Sequence, residues 1–288
     1  MTFFLDGKAE DLAYLNTRNH PRGAHYRSLI EELWQEFEPI ADANFRTEAM
    51  DHFYERMWEM YLAVMLQRRG YEVQSMGGRG PDFHVSGGAT SCYIEATAPG
   101  LGDGADAVPE MVDRIVAQVP EDQIILRLTG ALAAKREQYN RAVAREELDQ
   151  ALPFIVAING VRIRLQGVNG TLPPVVRAFL GFGPLCAEWG RESKKIERSY
   201  FQRREAVEKA SGVAIPTNGL VAEDYPMVSG VLFSWAGLTT YPGEYGSEFI
   251  FVRNSQAVNP LPDGFFPFGQ EYWVEGNQLF RREWGGVE

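Results

Sequence analysis

The sequence predicts an α/β chain, a mixed central sheet with helices on its flanks. Apolar residues recur at three and four in two early segments, glycine-separated runs of strand formers follow, and a second helical stretch leads into the apolar run Phe154-Ile-Val-Ala-Ile. With 45% of its 288 residues hydrophobic, the chain can bury one large core or two modest ones.

Residues 25 to 37 and 47 to 69 carry the helical spacing, and Gly70 stops the second helix. Tyr71-Glu-Val-Gln-Ser, Asp82-Phe-His-Val-Ser and Ser91-Cys-Tyr-Ile-Glu-Ala-Thr then predict a three-stranded meander. Pro109 to Gln118 and roughly Gln123 to Glu147 read as helices, the latter rich in Ala, Leu, Arg, Lys and Glu; Phe154 to Ile158 reads as a buried strand. The pattern loosens after Gly160, where a charged helix from Arg191 to Lys209 and strands at Val228 to Ser234 and Glu248 to Val252 are expected before an aromatic tail. The expected organisation is an N-terminal helical segment (1–48), an α/β core (49–160) and an α/β extension (161–288) packed on the same core. The Gly- and Pro-rich stretch from Gly167 to Pro174 offers an alternative domain boundary.

A formal charge of −11 argues against a nonspecific nucleic-acid coat, though not against a local basic groove; Arg191 to Lys209 holds seven basic and four acidic residues. No run is long and apolar enough for a membrane span and the start lacks the order of a signal peptide, so no membrane partner and a cytoplasmic location are expected. Cys92 and Cys186 match no disulfide or zinc spacing and read as free thiols. Four scattered histidines, with no P-loop, nucleophile elbow or H-E-x-x-H, leave serine-hydrolase and zinc chemistry unsupported. Gly100-Leu-Gly102-Asp-Gly-Ala105 fits a dinucleotide fingerprint only loosely, because a hairpin feeds it and Asp103 and Asp106 stand where a pyrophosphate would need free amides. The late aromatics, from Trp235 to Trp284, read mainly as core.

The informative stretch is Gly77 to Thr97. Gly88-Ala89 suits a two-residue type II′ turn, and pairing outward from it sets Val85 opposite Cys92, Phe83 opposite Ile94 and Asp82 opposite Glu95. One face then carries Phe83, Val85, Cys92, Ile94 and Ala96, and the other Asp82, His84, Ser86, Ser91, Tyr93, Glu95 and Thr97. Two carboxylates across an antiparallel pair repel unless one protonates, water screens them or a cation neutralises both; Mg²⁺, which keeps one or two carboxylates and several waters, answers that arrangement. A plain turn start at Pro81-Asp82, with Glu95 facing solvent, is the simpler alternative.

With Gly80-Pro81-Asp82 entering the second strand and Ile94-Glu95-Ala96-Thr97 on the third, residues 50 to 160 resemble the PD-(D/E)XK restriction-endonuclease-like superfamily. Glu59-x3-Ala63-x2-Leu66-x3-Gly70-Tyr71 is similar to the way such proteins lead from an acid-bearing helix into the first strand, with Glu55 as reserve. The resemblance implies metal-dependent phosphodiester hydrolysis. Asp82 and Glu95 would hold Mg²⁺ or Mn²⁺, Glu59 would aid the metal or its water, and a lysine would steady the attacking hydroxide. The usual lysine position is Thr97; Lys135, with Gln138 three residues on, is the substitute expected from the following helix. Nucleic acid, DNA first, is the implied partner. A catalytically inactive module of the same fold, binding nucleic acid or a protein, is the alternative, and a homo-oligomer is left open.

Overall fold

The computed structural model describes residues 1–110, 119–163, 172–240 and 244–285. In chain order the elements are α1 (Leu12–Asn19), α2 (Ala24–Phe37), α3 (Phe45–Ala49), α4 (Phe53–Arg68), β1 (Glu72–Ser75), β2 (Phe83–Gly87), β3 (Thr90–Thr97), α5 (Glu121–Ala144), β4 (Phe154–Asn159) and α6 (Pro174–Phe179). There follow β5 (Phe182–Trp189), β6 (Ile196–Arg203), β7 (Ala206–Glu208), β8 (Ala214–Pro216), β9 (Gly230–Ser234), β10 (Ile250–Arg253), β11 (Gly269–Glu275) and β12 (Gln278–Trp284).

Among the described residues, eight strands form one mixed sheet in the order β1-β2-β3-β4-β9-β10-β11-β12. The meander β1-β2-β3 is antiparallel, β4 runs parallel to both β3 and β9, and the remaining pairs alternate in direction. Helices cover both faces. Ile155 and Ala157 of β4 enter a core shared with α2, α3 and α4, while Phe154, Val156 and Ile158 enter a second core shared with α5 and α6. A strand covered on both sides needs no polar face, which is why its sequence is unbroken Phe-Ile-Val-Ala-Ile. No helix among the described residues is long and apolar enough to cross a membrane.

The β2–β3 hairpin follows the register its turn predicts, with Gly87 opposite Thr90 and Phe83 opposite Ile94. Gly88 takes φ +62 while Ala89 does not leave the negative side, as a type II′ turn requires. Phe83, Val85, Cys92, Ile94 and Ala96 all lie in the α4 core, and Tyr93 faces the α5 core. Cys92 is buried there, Cys186 is half-buried on β5, and both are free.

Three expectations need correction. The helix expected over 47–69 is broken at Met50–His52, because the N-terminal segment docks on the break. The Asp11 amide donates to the Met50 carbonyl (3.0 Å), the Asp11 carboxylate accepts from the Phe53 amide (3.2 Å), and Asp51 accepts from the Glu10 amide (3.2 Å). The charged segment 191–209 is not helical. It supplies β6 and β7, because Ile196, Tyr200 and Phe201 pair across to Trp189, Cys186 and Leu185. The aromatic tail contains β11 and β12, joined at Gly276-Asn277, where Gly276 takes φ +56. The glycines of the 100–105 segment, a loose match to a dinucleotide fingerprint, run into a three-residue 3-10 turn, Gly104–Asp106. They admit arginines: a side chain at Gly100 would meet the Arg162 guanidinium at 3.0 Å, and one at Gly102 would meet Arg127 at 3.0 Å. Most of the helix expected over 109–118, and the boundary expected from Gly167, fall outside the described residues.

Candidate active site

α4 is buried nearly all round from Trp58 to Leu66, and Glu59 is its only charged residue in that run. The Trp58 indole N–H donates to the Ala157 carbonyl (3.0 Å), which seats the helix on the sheet. Glu59 is 8% exposed and accepts from Arg56, one turn earlier, at 2.6 Å; the same guanidinium pairs with Glu48 at 3.1 Å. A carboxylate placed without water in an apolar helix face needs such a partner.

Asp82 immediately precedes β2. Where the β2–β3 ladder stops, its Oδ2 accepts from the Ala96 backbone N–H at 2.7 Å, so the side chain takes the place of a ladder partner. Glu95, the preceding residue of β3, is 7% exposed, and its Oε1 accepts from the Lys135 ammonium at 2.6 Å. Lys135 reaches over from α5, and its side chain is only 14% exposed. The site thus gathers Glu59 from the helices on one face, Asp82 and Glu95 from the hairpin, and Lys135 from the other face. Each of the three carboxylates accepts a hydrogen bond through one oxygen: Glu59 from Arg56, Asp82 from the Ala96 N–H and Glu95 from Lys135.

The electrostatics follow from this crowding. Burial, then the neighbouring charge of Asp82, push Glu95 up to about 7, against the pull of Lys135. Burial, then the charge of Asp82, hold Glu59 well above the usual carboxylate range, with Arg56 and Lys135 opposing. Asp82 is raised by burial, against Lys135, the Ala96 N–H and Arg56. Burial is the largest cause for all three acids, and the charge of Asp82 adds to it for Glu59 and Glu95.

The other predicted residues lie apart from this contact set. Gln138 is exposed and makes no hydrogen bond among the described residues. Glu55 pairs with Arg162 at 2.8 Å. His84 packs edge-on against its cross-strand neighbour Tyr93, with ring centroids 5.5 Å apart. Thr97 is half-buried opposite Ile158. Arg56 escaped sequence reasoning, although its spacing of three from Glu59 was the available signal.

Comparison with protein-family models, curated proteins and solved structures returned no match. Among the described residues, no three His, Cys, Asp or Glu side chains are arranged as a metal cage. The donor set is nevertheless one that suits a hard cation: carboxylate oxygens, largely removed from water, with more negative than positive charge. Mg²⁺ needs only one or two such ligands beside its waters, so a closed cage is not required.

Proposed function

We propose that the chain is a metal-dependent nuclease whose core, α4-β1-β2-β3-α5-β4, is of the PD-(D/E)XK restriction-endonuclease-like kind. The observation that carries this reading is the Lys135–Glu95 contact: a lysine from the helix after β3 reaches the acidic cluster that Thr97 leaves without one. The element order and strand directions support it, since an acid-bearing helix, an antiparallel meander and a parallel fourth strand are all present.

On this reading Asp82 and Glu95 hold Mg²⁺ or Mn²⁺, and Glu59 assists. Bound there, the cation makes water acidic enough to attack a phosphodiester near neutral pH and offsets the charge on the phosphate. Lys135 moves from neutralising Glu95 to meeting the negative charge that develops on the phosphorus oxygens. In its ionised form Glu59, made more basic by burial and by the charge of Asp82, is suited to taking a proton from the attacking water. Thr97 contributes no charge in this scheme.

Purified protein incubated with supercoiled, linear and single-stranded DNA and with RNA, in Mg²⁺, Mn²⁺ or EDTA, tests the proposal. Cleavage should require metal and prefer DNA. Asp82→Asn should abolish it, and Lys135→Ala should slow it by about 10²-fold or more with the fold intact, the scale of a lost electrostatic group. Absence of cleavage with every substrate and metal would overturn the reading in favour of an inactive binding module. An unchanged rate in Lys135→Ala would remove the lysine's role.

A further inference from the structure

Among the described residues, the contacts of the β5–β6 hairpin with the rest of the chain lie at its root. Phe182 is buried there with Arg203 over its ring at 4.2 Å, Arg203 donates to the Asn277 carbonyl (2.7 Å), and Arg204 pairs with Glu121 (3.0 Å) and Asp122 (3.1 Å) at the start of α5. From Pro184 to Gln202 the side chains are exposed on both faces, apart from half-buried Cys186 and Phe201. A two-stranded ribbon with no core of its own adds little to stability, so its composition answers to something else.

That composition is specific. Trp189 and Ile196 face each other at the end of the ribbon and are 61% and 59% exposed. Arg191, Lys194 and Lys195 lie with Glu192 in the turn between them, and from Glu188 to Arg203 there are five basic residues against three acidic, in a chain whose formal charge is −11. An exposed apolar pair beside a local excess of cations, in an otherwise acidic chain, complements a polyanion that has flat apolar surfaces between its charges. Apolar side chains wedge against base steps while Lys and Arg engage the flanking phosphates, and a two-stranded ribbon fits a duplex groove.

We propose that this hairpin is an arm that grips duplex nucleic acid, with Trp189 and Ile196 against the bases and Arg191, Lys194 and Lys195 on the backbone. Its root touches Glu121, fourteen residues along α5 from Lys135. At 1.5 Å per residue that places the ribbon's root ~21 Å along the helix from Lys135. This deepens the nuclease reading and rests on it for the choice of partner.

The test is binding of a fluorescein-labelled DNA duplex, followed by anisotropy in EDTA so that affinity is read without turnover. The full chain is compared with R191Q/K194Q/K195Q and with W189S/I196S, all at exposed positions, with circular dichroism as the check on folding. The charge variant should bind about tenfold or more weaker at low salt, with the slope of log affinity against log salt reduced by about 2–3. The apolar variant should lose about tenfold with its slope unchanged. Unchanged affinity in both variants would overturn the arm. So would tighter binding of single strands than of duplex, or a dimer in sedimentation that W189S/I196S dissociates while DNA affinity stays the same. Arm-dependent binding without cleavage in Mg²⁺ or Mn²⁺ would support the arm and overturn the nuclease; cleavage and binding indifferent to both variants would do the reverse.

Discussion

Glu95 and Lys135 hold each other at 2.6 Å in a place where neither is well solvated, and the surrounding acids set how that pair titrates. Glu95 in the folded chain releases its proton near 7, well above an unfolded glutamate. Such a group contributes its full stability below about pH 4.3 and loses it as pH rises to about 7, a change of order 3 kcal/mol. Glu59 and Asp82 are shifted the same way and add to the trend. Urea denaturation in EDTA should therefore show a lower midpoint at pH 8 than at pH 5, with the difference reduced in Glu95→Gln; equal midpoints would contradict the crowding described above. Adding Mg²⁺ should raise the midpoint more at pH 8 than at pH 5, because cation and protons compete for the same oxygens. Much of this cluster was legible beforehand. The Gly88 turn fixes which residues face which, so Asp82 and Glu95 could be paired on paper, and Glu59 stands out as the acid inside an apolar helix. The contact partner of each acid was harder to read, because Arg56 and Lys135 are ordinary helix residues until the fold turns them inward. Gln138 shows the limit of helical spacing: three positions from Lys135, it points to solvent.

At the scale of elements, the hairpin turn is the part on which the site's geometry depends most directly. Gly88 holds φ +62 with open space around it, so a side chain there meets backbone strain and no clash. Gly88→Val should cost about 1–2 kcal/mol by thermal or urea unfolding and weaken the Asp82–Ala96 junction. A neutral outcome would mean that the turn does not control register. The strands of the meander and β4 were readable because their apolar residues alternate or run unbroken. The β5–β6 ribbon was not, because burial imposes no pattern on strands exposed on both faces, and Gly183-Pro184 disguised the partner strand. The β11–β12 hairpin did carry a signal, Gly276-Asn277 between Tyr-Trp-Val and Leu-Phe, obscured by the glycines and prolines before it.

At the scale of the molecule, the sheet is a wall between two cores, and β9 supplies both: Leu232 to the α4 side, Val231 and Phe233 to the α5 side. The α4 core also draws Phe249, Phe251, Phe265, Phe266 and Phe268 from the C-terminal half. Residues 1–160 made alone would leave β4 with an open edge and both cores uncovered. That fragment should lack near-ultraviolet circular dichroism and bind a hydrophobic dye, whereas the full chain should do neither; a cooperative unfolding transition in the fragment would show a core able to stand alone. The same wall sorts the chain's two thiols. Burial pushes Cys92 up to about 12, while Cys186 lies half-open on the ribbon. A maleimide at neutral pH should add once to the native protein and twice after denaturation, as read by intact mass. A single reagent would then place a fluorophore on the protruding ribbon without engineering the chain, giving a built-in reporter of whatever the ribbon touches.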